Sequence, residues 1–359
     1  MTYLRRFITA PLITTPRLVI LVLTLICVSV GILLLVGLRD FDLSGRQVQT
    51  LSFQTDMGSL SGSLVLPAAT PEPPIVLFVH GDGPQDRFAS QAYLPLINAL
   101  LDNGIGVYSW DKAGVGESQG DWLAQTMSDR ADEALAALEA VRQATQTPDH
   151  RLGFIGFSQA GWVLPKIAQQ APSDIYFVII GGATNWLEQG DYFARKRLEA
   201  AGHSDLEIQV YLEEQRALYS KIFTAPGDYQ LYLQSTDEST PMTEARFHFV
   251  VNNYLADATT DLSAVRSPML AVFGDQDLNV DAHKEAVIYE RLLADSHPAS
   301  QVHIWPDATH GLTKAGWFNQ QLASQTPLRS QVYALFAGRH IFAPGVIDFI
   351  SSWIQAQSR

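Results

Sequence analysis

Leu152-Gly153-Phe154-Ile155-Gly156-Phe157-Ser158-Gln159-Ala160-Gly161-Trp162 is the stretch that decides the fold. A short apolar run, Leu152–Phe157, reads as a strand and passes directly into a helical pattern over Gln159–Gln170. The junction holds Gly156-x-Ser158-x-Ala160. A serine on a sharp strand-to-helix turn sits in strained backbone, with its hydroxyl projecting above the sheet. The residues two before and two after it must be small, because strand and helix approach closely there. Alanine stands at 160 where glycine is usual, and it is small enough. The helix N-terminus supplies free N–H groups and the positive end of a dipole, suited to a developing oxyanion.

Outward from this turn, strands and helices alternate. Gln47–Gln54 and Leu60–Leu66 read as strands around a turn at Asp56-Met57-Gly58-Ser59. Pro67–Pro74 is a proline-rich connector. Ile75–His80, up to its closing histidine, and Ile175–Ile180 are apolar runs, as in strands buried on both faces. Ile105–Trp110, Pro268–Gly274 and Gln301–Trp305 complete the strands. Helices are expected over Ser90–Asn103, over Asp129–Ala144 capped by Ser128, over Asp281–Leu293 and over Val346–Gln355. This rhythm predicts an α/β fold, a mostly parallel sheet covered by helices. It stops at Gly181-Gly182 and resumes near Pro268. Residues 183–260 therefore read as a helical lid insertion, with one strand-like apolar run at Phe247–Val251.

A serine hydroxyl needs a base, and the base needs an orienting acid. His310, in Asp307-Ala308-Thr309-His310-Gly311, follows the last strand. Asp277, in Gly274-Asp275-Gln276-Asp277-Leu278-Asn279-Val280, follows the strand before it. Ser158, Asp277, His310 is the chain order of an α/β-hydrolase triad. Each member stands at the carboxyl end of a successive strand, where such sheets bind their ligands.

Three further motifs carry a resemblance. His80-Gly81-Asp82-Gly83-Pro84-Gln85-Asp86-Arg87 resembles the H-G-x-G-P-x-D-R loop of bacterial α/β-hydrolases of the small-esterase and serine-aminopeptidase group. Asp111-Lys112-Ala113-Gly114-Val115-Gly116-Glu117-Ser118 is similar to that group's D-x-x-G-x-G-x-S turn, with Ser118 expected at the surface. Gly156–Trp162 resembles its G-x-S-Q-G-G-W elbow, and Asp277, three residues before Val280, fits its acid, leaving Asp275 as a turn residue. The resemblance implies an oxyanion hole made by the backbone N–H groups of Asp82 and Gln159. The Asp82 carboxylate must then point away from the site, with Arg87 the expected partner. Gln119 stands where a dinucleotide loop would need its third glycine, so no nucleotide is expected.

The 359 residues carry a formal charge of −13. Arg5, Arg6, Arg17 and Arg39 are the only charges before Asp40, so residues 40–359 carry −13 − 4 = −17. So acidic a body does not fit nucleic acid. A single cysteine, Cys27, excludes an internal disulfide and a Cys-rich zinc site. Neither metal nor cofactor is expected. Leu18–Leu38 is an uncharged apolar run, long enough at about 1.5 Å per residue to cross a hydrocarbon core. No alanine of a cleavage site lies between Ala10 and Ala68, so a retained anchor is expected. Arginines before it and Asp40 and Asp42 after it place residues 1–17 in the cytoplasm and the body outside.

The sequence thus divides into 1–17, a transmembrane helix 18–38, a core of 40–182 and 261–359, and the lid 183–260. It predicts a membrane-anchored serine hydrolase acting on a small ester. The alternatives are an aminopeptidase or amidase on the same triad, or a non-catalytic binding protein, against which an intact triad argues. Glu188, Asp191 and Glu213 or Glu214 are candidates to hold a substrate ammonium in the amide case. Trp186, Tyr192, Phe193, Tyr211, Tyr219, Phe223, Tyr229 and Tyr232 are candidates for an apolar lid wall, and the lid is expected to contribute nothing to the triad.

Overall fold

The alternation of short apolar strands with helices builds one sheet, seen in a computed structural model that describes residues 16–224, 226–236 and 240–359. Its strands are β1 (Gln47–Thr55), β2 (Gly58–Leu66), β3 (Ile75–Val79), β4 (Gly106–Trp110), β5 (Leu152–Phe157), β6 (Tyr176–Ile180), β7 (Met269–Gly274) and β8 (Gln301–Trp305). They lie in the order β1-β2-β4-β3-β5-β6-β7-β8. β1 and β2 form an antiparallel hairpin, and β3 to β8 run parallel. This is the α/β-hydrolase fold that the rhythm predicts. The five residues of β3, of β4 and of β6 are all buried, as strands covered on both faces must be.

Helices Met127–Thr145, Leu164–Gln170 and Ala282–Leu293 cover one face of the sheet, and helices Leu94–Asp102 and Val346–Gln357 the other. Several boundaries differ from expectation. The helix at 127 is capped by Thr126, not Ser128: the Thr126 hydroxyl accepts the Asp129 N–H, and the Asp129 carboxylate accepts the Thr126 N–H in return. Ala89, Ser90 and Gln91 take φ of 48°, 52° and 75°, so they form a turn and the helix begins only at Leu94. The segment after Ser158 opens as a 3₁₀ turn, Ser158–Trp162, before the α-helix at Leu164.

Between residues 183 and 260 lie the helices Trp186–Ala200, Asp205–Ile222, Tyr229–Ser235 and Glu244–Asn253, and Phe247–Val251 is part of the last of these, not a strand. The insertion has its own small core of Ile222, Phe223, Tyr232, Phe247, Val250 and Tyr254. Buried Asn253 ties it to the sheet layer, accepting the Met127 N–H and donating to the carbonyls of Gln125 and Phe249.

A second excursion leaves the core at Leu312 and returns at Ala343, where the Ala343 N–H donates to the Leu312 carbonyl at 2.8 Å. It carries the helix Leu328–Ala337. The helix Pro16–Leu38 is long and apolar enough to cross a bilayer. Its last turns lie against Leu328–Ala337, with Gly37 closest to the backbone of Leu335 and Phe336. The 1–17 segment expected in the cytoplasm lies outside the described residues, save the first two positions of that helix.

Candidate active site

β3 and β5 are neighbours, paired Val79 to Gly156. The chain runs from β3 to β4 on one side and returns with β5 on the other, so the loops leaving β3 and β5 diverge at the carboxyl edge and open a crevice. Ser158 stands there with φ +51°, the strained elbow that the sequence predicts. At Gly156 a side chain would run into the Ala160 methyl and Leu164, so that close approach needs glycine, whereas at Gly81 it would only crowd the Phe157 carbonyl and touch Ser158.

Asp277 and His310 leave the adjacent strands β7 and β8. His310 Nδ1 donates to Asp277 Oδ2 at 2.7 Å. The second oxygen, Oδ1, accepts the N–H groups of Asn279 at 2.7 Å and Val280 at 2.9 Å. The valine three residues on thus marks the acid through its backbone. Asp275 instead accepts the Ala308 N–H at 3.3 Å, bracing the turn. The Asp277 carboxylate is fully buried. Burial disfavours the His310 imidazolium, but the Asp277 charge and hydrogen bond outweigh it, and the His310 pKa lies above its ordinary value.

Ser158 and His310 open on one pocket of about 640 Å³. Its apolar wall includes Tyr93, Phe157, Trp162, Trp186, Phe193 and Leu322. Of the aromatic residues expected to form a lid wall, only Trp186 and Phe193 line it. Tyr211, Tyr219 and Phe223 line a separate cavity inside the insertion, and Tyr229 and Tyr232 pack within its core. Tyr192 donates to the Asp277 carbonyl at 2.9 Å. The insertion supplies no member of the Ser158, Asp277, His310 set, yet it braces the acid's loop, which the sequence reading did not foresee.

Asp82 also departs from expectation. Its carboxylate pairs with Arg246 of the insertion, at 2.8 and 2.5 Å, and accepts a hydrogen bond from the Gln159 amide at 3.2 Å. Arg87 is unavailable to it, being held by Asp111 at 2.6 Å and Glu117 at 2.7 Å. Burial raises the Asp82 pKa, but Arg246 more than offsets that, so it lies below the ordinary carboxylate value and the group is charged. Arg246 also lies over the rings of Trp122 and Phe249.

Two buried cations that the sequence reading passed over hold the loop after β3. Lys112 Nζ donates to the carbonyls of Gly81 at 2.7 Å and Gly83 at 2.9 Å. Arg130 donates to the His80 carbonyl and to the Gln159 side chain, both at 2.6 Å. Burial pushes the Lys112 pKa well down and that of His80 to about 3, so His80 is neutral and its Nε2–H donates to the Trp110 carbonyl. Lys112 was legible as the second position of the D-x-x-G-x-G-x-S turn. Ser118 of that turn is buried, not at the surface, and donates to the Asp111 carbonyl at 2.7 Å. Among the described residues, no cluster of His, Cys, Asp or Glu could hold a metal ion.

Residues 71–314 match the family described as serine aminopeptidase, S33. The fold is similar to the Pyrococcus furiosus esterase Pf2001, at 16% identity and TM-score 0.51, over 85% of this chain and 94% of that one. It is also similar to DcsB in complex with its substrate analogue, at 13% identity and TM-score 0.55, over 87% and 99%. No curated protein matches the sequence.

If Asp277 stabilises the imidazolium, an NMR titration will place the His310 midpoint above its usual value of about 6.5. Asp277→Asn removes that charge and leaves the burial, so the midpoint should then fall below the usual value. A midpoint unmoved by Asp277→Asn would mean that the pair is not coupled.

Proposed function

Because the chain belongs to the serine aminopeptidase S33 family of serine hydrolases, we propose that it is a membrane-anchored carboxylic ester hydrolase working through Ser158, His310 and Asp277. The observation that carries this reading is the His310–Asp277 hydrogen bond, made through Nδ1 in a pocket that Ser158 shares. With Nδ1 so held, Nε2 is the nitrogen left for the Ser158 hydroxyl. Ser158 Oγ attacks the ester carbonyl as His310 Nε2 takes its proton. The Asp82 and Gln159 N–H groups receive the oxyanion. Collapse breaks the bond to the alcohol, which leaves with the proton from His310, and an acyl-serine remains. Water, deprotonated by His310, then attacks the acyl carbon, releasing the carboxylic acid and restoring Ser158.

The amide alternative needs a free carboxylate for the substrate ammonium. Glu188 is paired with Lys284, Asp191 with Arg216, and Glu213 accepts a hydrogen bond from Gln209. Neither these three nor Glu214 is among the residues described as lining the Ser158 pocket. An intact set of reacting groups supports catalysis over a purely binding role. The 183–260 insertion acts as the lid, with Trp186 and Phe193 as its wall over the acyl chain.

The anchor reading is supported by the apolar run 18–38 and by Arg5, Arg6 and Arg17 before it, the flank that the positive-inside rule assigns to the cytoplasm. Protease added to intact spheroplasts should digest residues 40–359. Full protection would invert the topology.

Ser158→Ala should lower p-nitrophenyl ester turnover by on the order of 10⁶ and abolish fluorophosphonate labelling, with the fold unchanged by circular dichroism. A variant keeping a tenth of wild-type turnover would refute the nucleophile. In the same panel, aminoacyl anilides should turn over far more slowly than esters; the reverse ranking would favour the amide reading.

Arg246 is proposed to hold the Asp82 carboxylate away from the developing oxyanion. Arg246→Ala should lower kcat about tenfold or more, the scale of a weakened oxyanion hole. Adding Asp82→Asn should restore most of the loss. Failure of that rescue would make Arg246 a packing residue only.

A further inference from the structure

The excursion 313–342 joins the pocket to the N-terminal helix. At one end, Gln321, Leu322 and Ala323 line the pocket that holds Ser158. At the other, the helix Leu328–Ala337 lies along the last turns of Pro16–Leu38. Among residues 19–37 only Gly31, Leu34 and Gly37 are not exposed, so one flank of that helix makes the contact. Gly37 meets Leu335 and Phe336, and Asp40 meets Arg339 through three hydrogen bonds of 2.6 to 2.9 Å. Because 37 faces 335–336 and 40 faces 339, the two helices run the same way. Leu328 therefore lies further back along the apolar helix, toward its middle.

This helix carries an apolar face that none of the described residues covers. Leu328, Val332 and Leu335 are 73%, 44% and 42% exposed. Their spacing of four and three residues puts them on one side. Nearby, Trp317 is partly exposed and stacks on Tyr333 at 4.2 Å, and Lys314 reaches the Tyr333 hydroxyl at 3.4 Å. Aromatic rings with polar tips belong at the boundary between hydrocarbon and water. Arg329 on the same helix has a stem long enough to leave its guanidinium among lipid headgroups. A bilayer that takes up Pro16–Leu38 must also meet this face, because the two helices are in contact.

We propose that the 313–342 excursion dips into the outer leaflet of the bilayer beside the anchor helix and that the substrate is a bilayer-resident long-chain acyl ester. It enters the pocket past Leu322, which is 51% exposed at the rim. The proposal rests on the ester hydrolase and anchor readings above. The acyl chain passes from lipid to an apolar wall without crossing water, which removes the cost of exposing it, about 0.8 kcal/mol per CH₂.

The full-length chain, reconstituted in phosphatidylcholine vesicles, tests this with two probes. One is 4-methylumbelliferyl oleate dissolved in the bilayer, and the other is water-soluble 4-methylumbelliferyl acetate. The pair Leu328→Glu and Val332→Glu should lower oleate turnover at least about tenfold, since charge on that face opposes its insertion. Acetate turnover and fluorophosphonate labelling should stay within about twofold, because neither residue lines the pocket. If the glutamate pair fails to label, the uncharged pair Leu328→Gln and Val332→Gln is read instead, with a smaller loss in the same direction. Equal loss on both esters, or no loss on oleate, overturns the proposal. A wild-type enzyme that cleaves acetate but not oleate overturns it too, and leaves the ester hydrolase reading intact. A wild-type enzyme that cleaves neither ester overturns both.

Discussion

The pairing of β3 with β5 is the constraint on which the site depends. Two parallel strands side by side hold the first residues after one beside the turn after the other, so Gly81 lies next to Phe157 and Ser158 before the two connections diverge. A loop pressed so close has no sheet partner for its carbonyls, and a buried carbonyl left unpaired costs about 1–3 kcal/mol. Lys112 and Arg130 supply the donors, taking the carbonyls of His80, Gly81 and Gly83. Neutral side chains could satisfy the same oxygens. Cations do something more, since they put positive charge beneath the loop whose Asp82 N–H is proposed to receive the oxyanion.

That arrangement gives Asp82 a reason to exist. Three cations, Lys112, Arg130 and Arg246, converge on a small partly buried region, and burying several like charges without a counter-charge is costly. Asp82 and the buried Glu133 are the counter-charges. Its pairing with Arg246 across 164 residues of sequence ties the insertion to the loop after β3. The carboxylate that looked like an obstacle to an oxyanion is thus a counter-charge to the cations around it.

Legibility followed locality. The elbow, the D-x-x-V acid and the loop histidine each depend on backbone geometry within a few residues, and their sequence patterns name them. The strands of the sheet were legible as short apolar runs between turn signals, although Phe247–Val251, a run of the same length, is helical. Thr126 was readable and missed: counting three residues on from it finds Asp129, whereas the same count from Ser128 finds Ala131, which cannot complete a capping box. The Asp82 partner was not readable. Arg87 is the nearest arginine in sequence, and only the fold shows that Asp111 has already taken it. The 313–342 excursion escaped for a different reason. Leu328, Val332 and Leu335 have a helical period, but they face outward, so they did not register as the core-facing side of a sheet-covering helix.

The insertion and the excursion meet at the acid's own loop. Gln321 donates to the carbonyls of Phe193 in the insertion and Leu278 beside Asp277, each at 2.9 Å. Asn279 returns a bond to the Gln321 carbonyl at 3.2 Å, and Gln189 of the insertion donates to the Asn279 carbonyl at 2.9 Å. Tyr192 adds its bond to the Asp277 carbonyl. One short loop therefore carries the acid and also clamps the two elements that wall the pocket. Separating those walls to widen the entrance must break bonds to residues 277–279, in the loop whose Asn279 and Val280 N–H groups orient the Asp277 carboxylate. Opening the pocket and holding His310 in its Asp277-bonded orientation are then mechanically opposed, so the bonds that keep the walls together also favour the arrangement proposed to react.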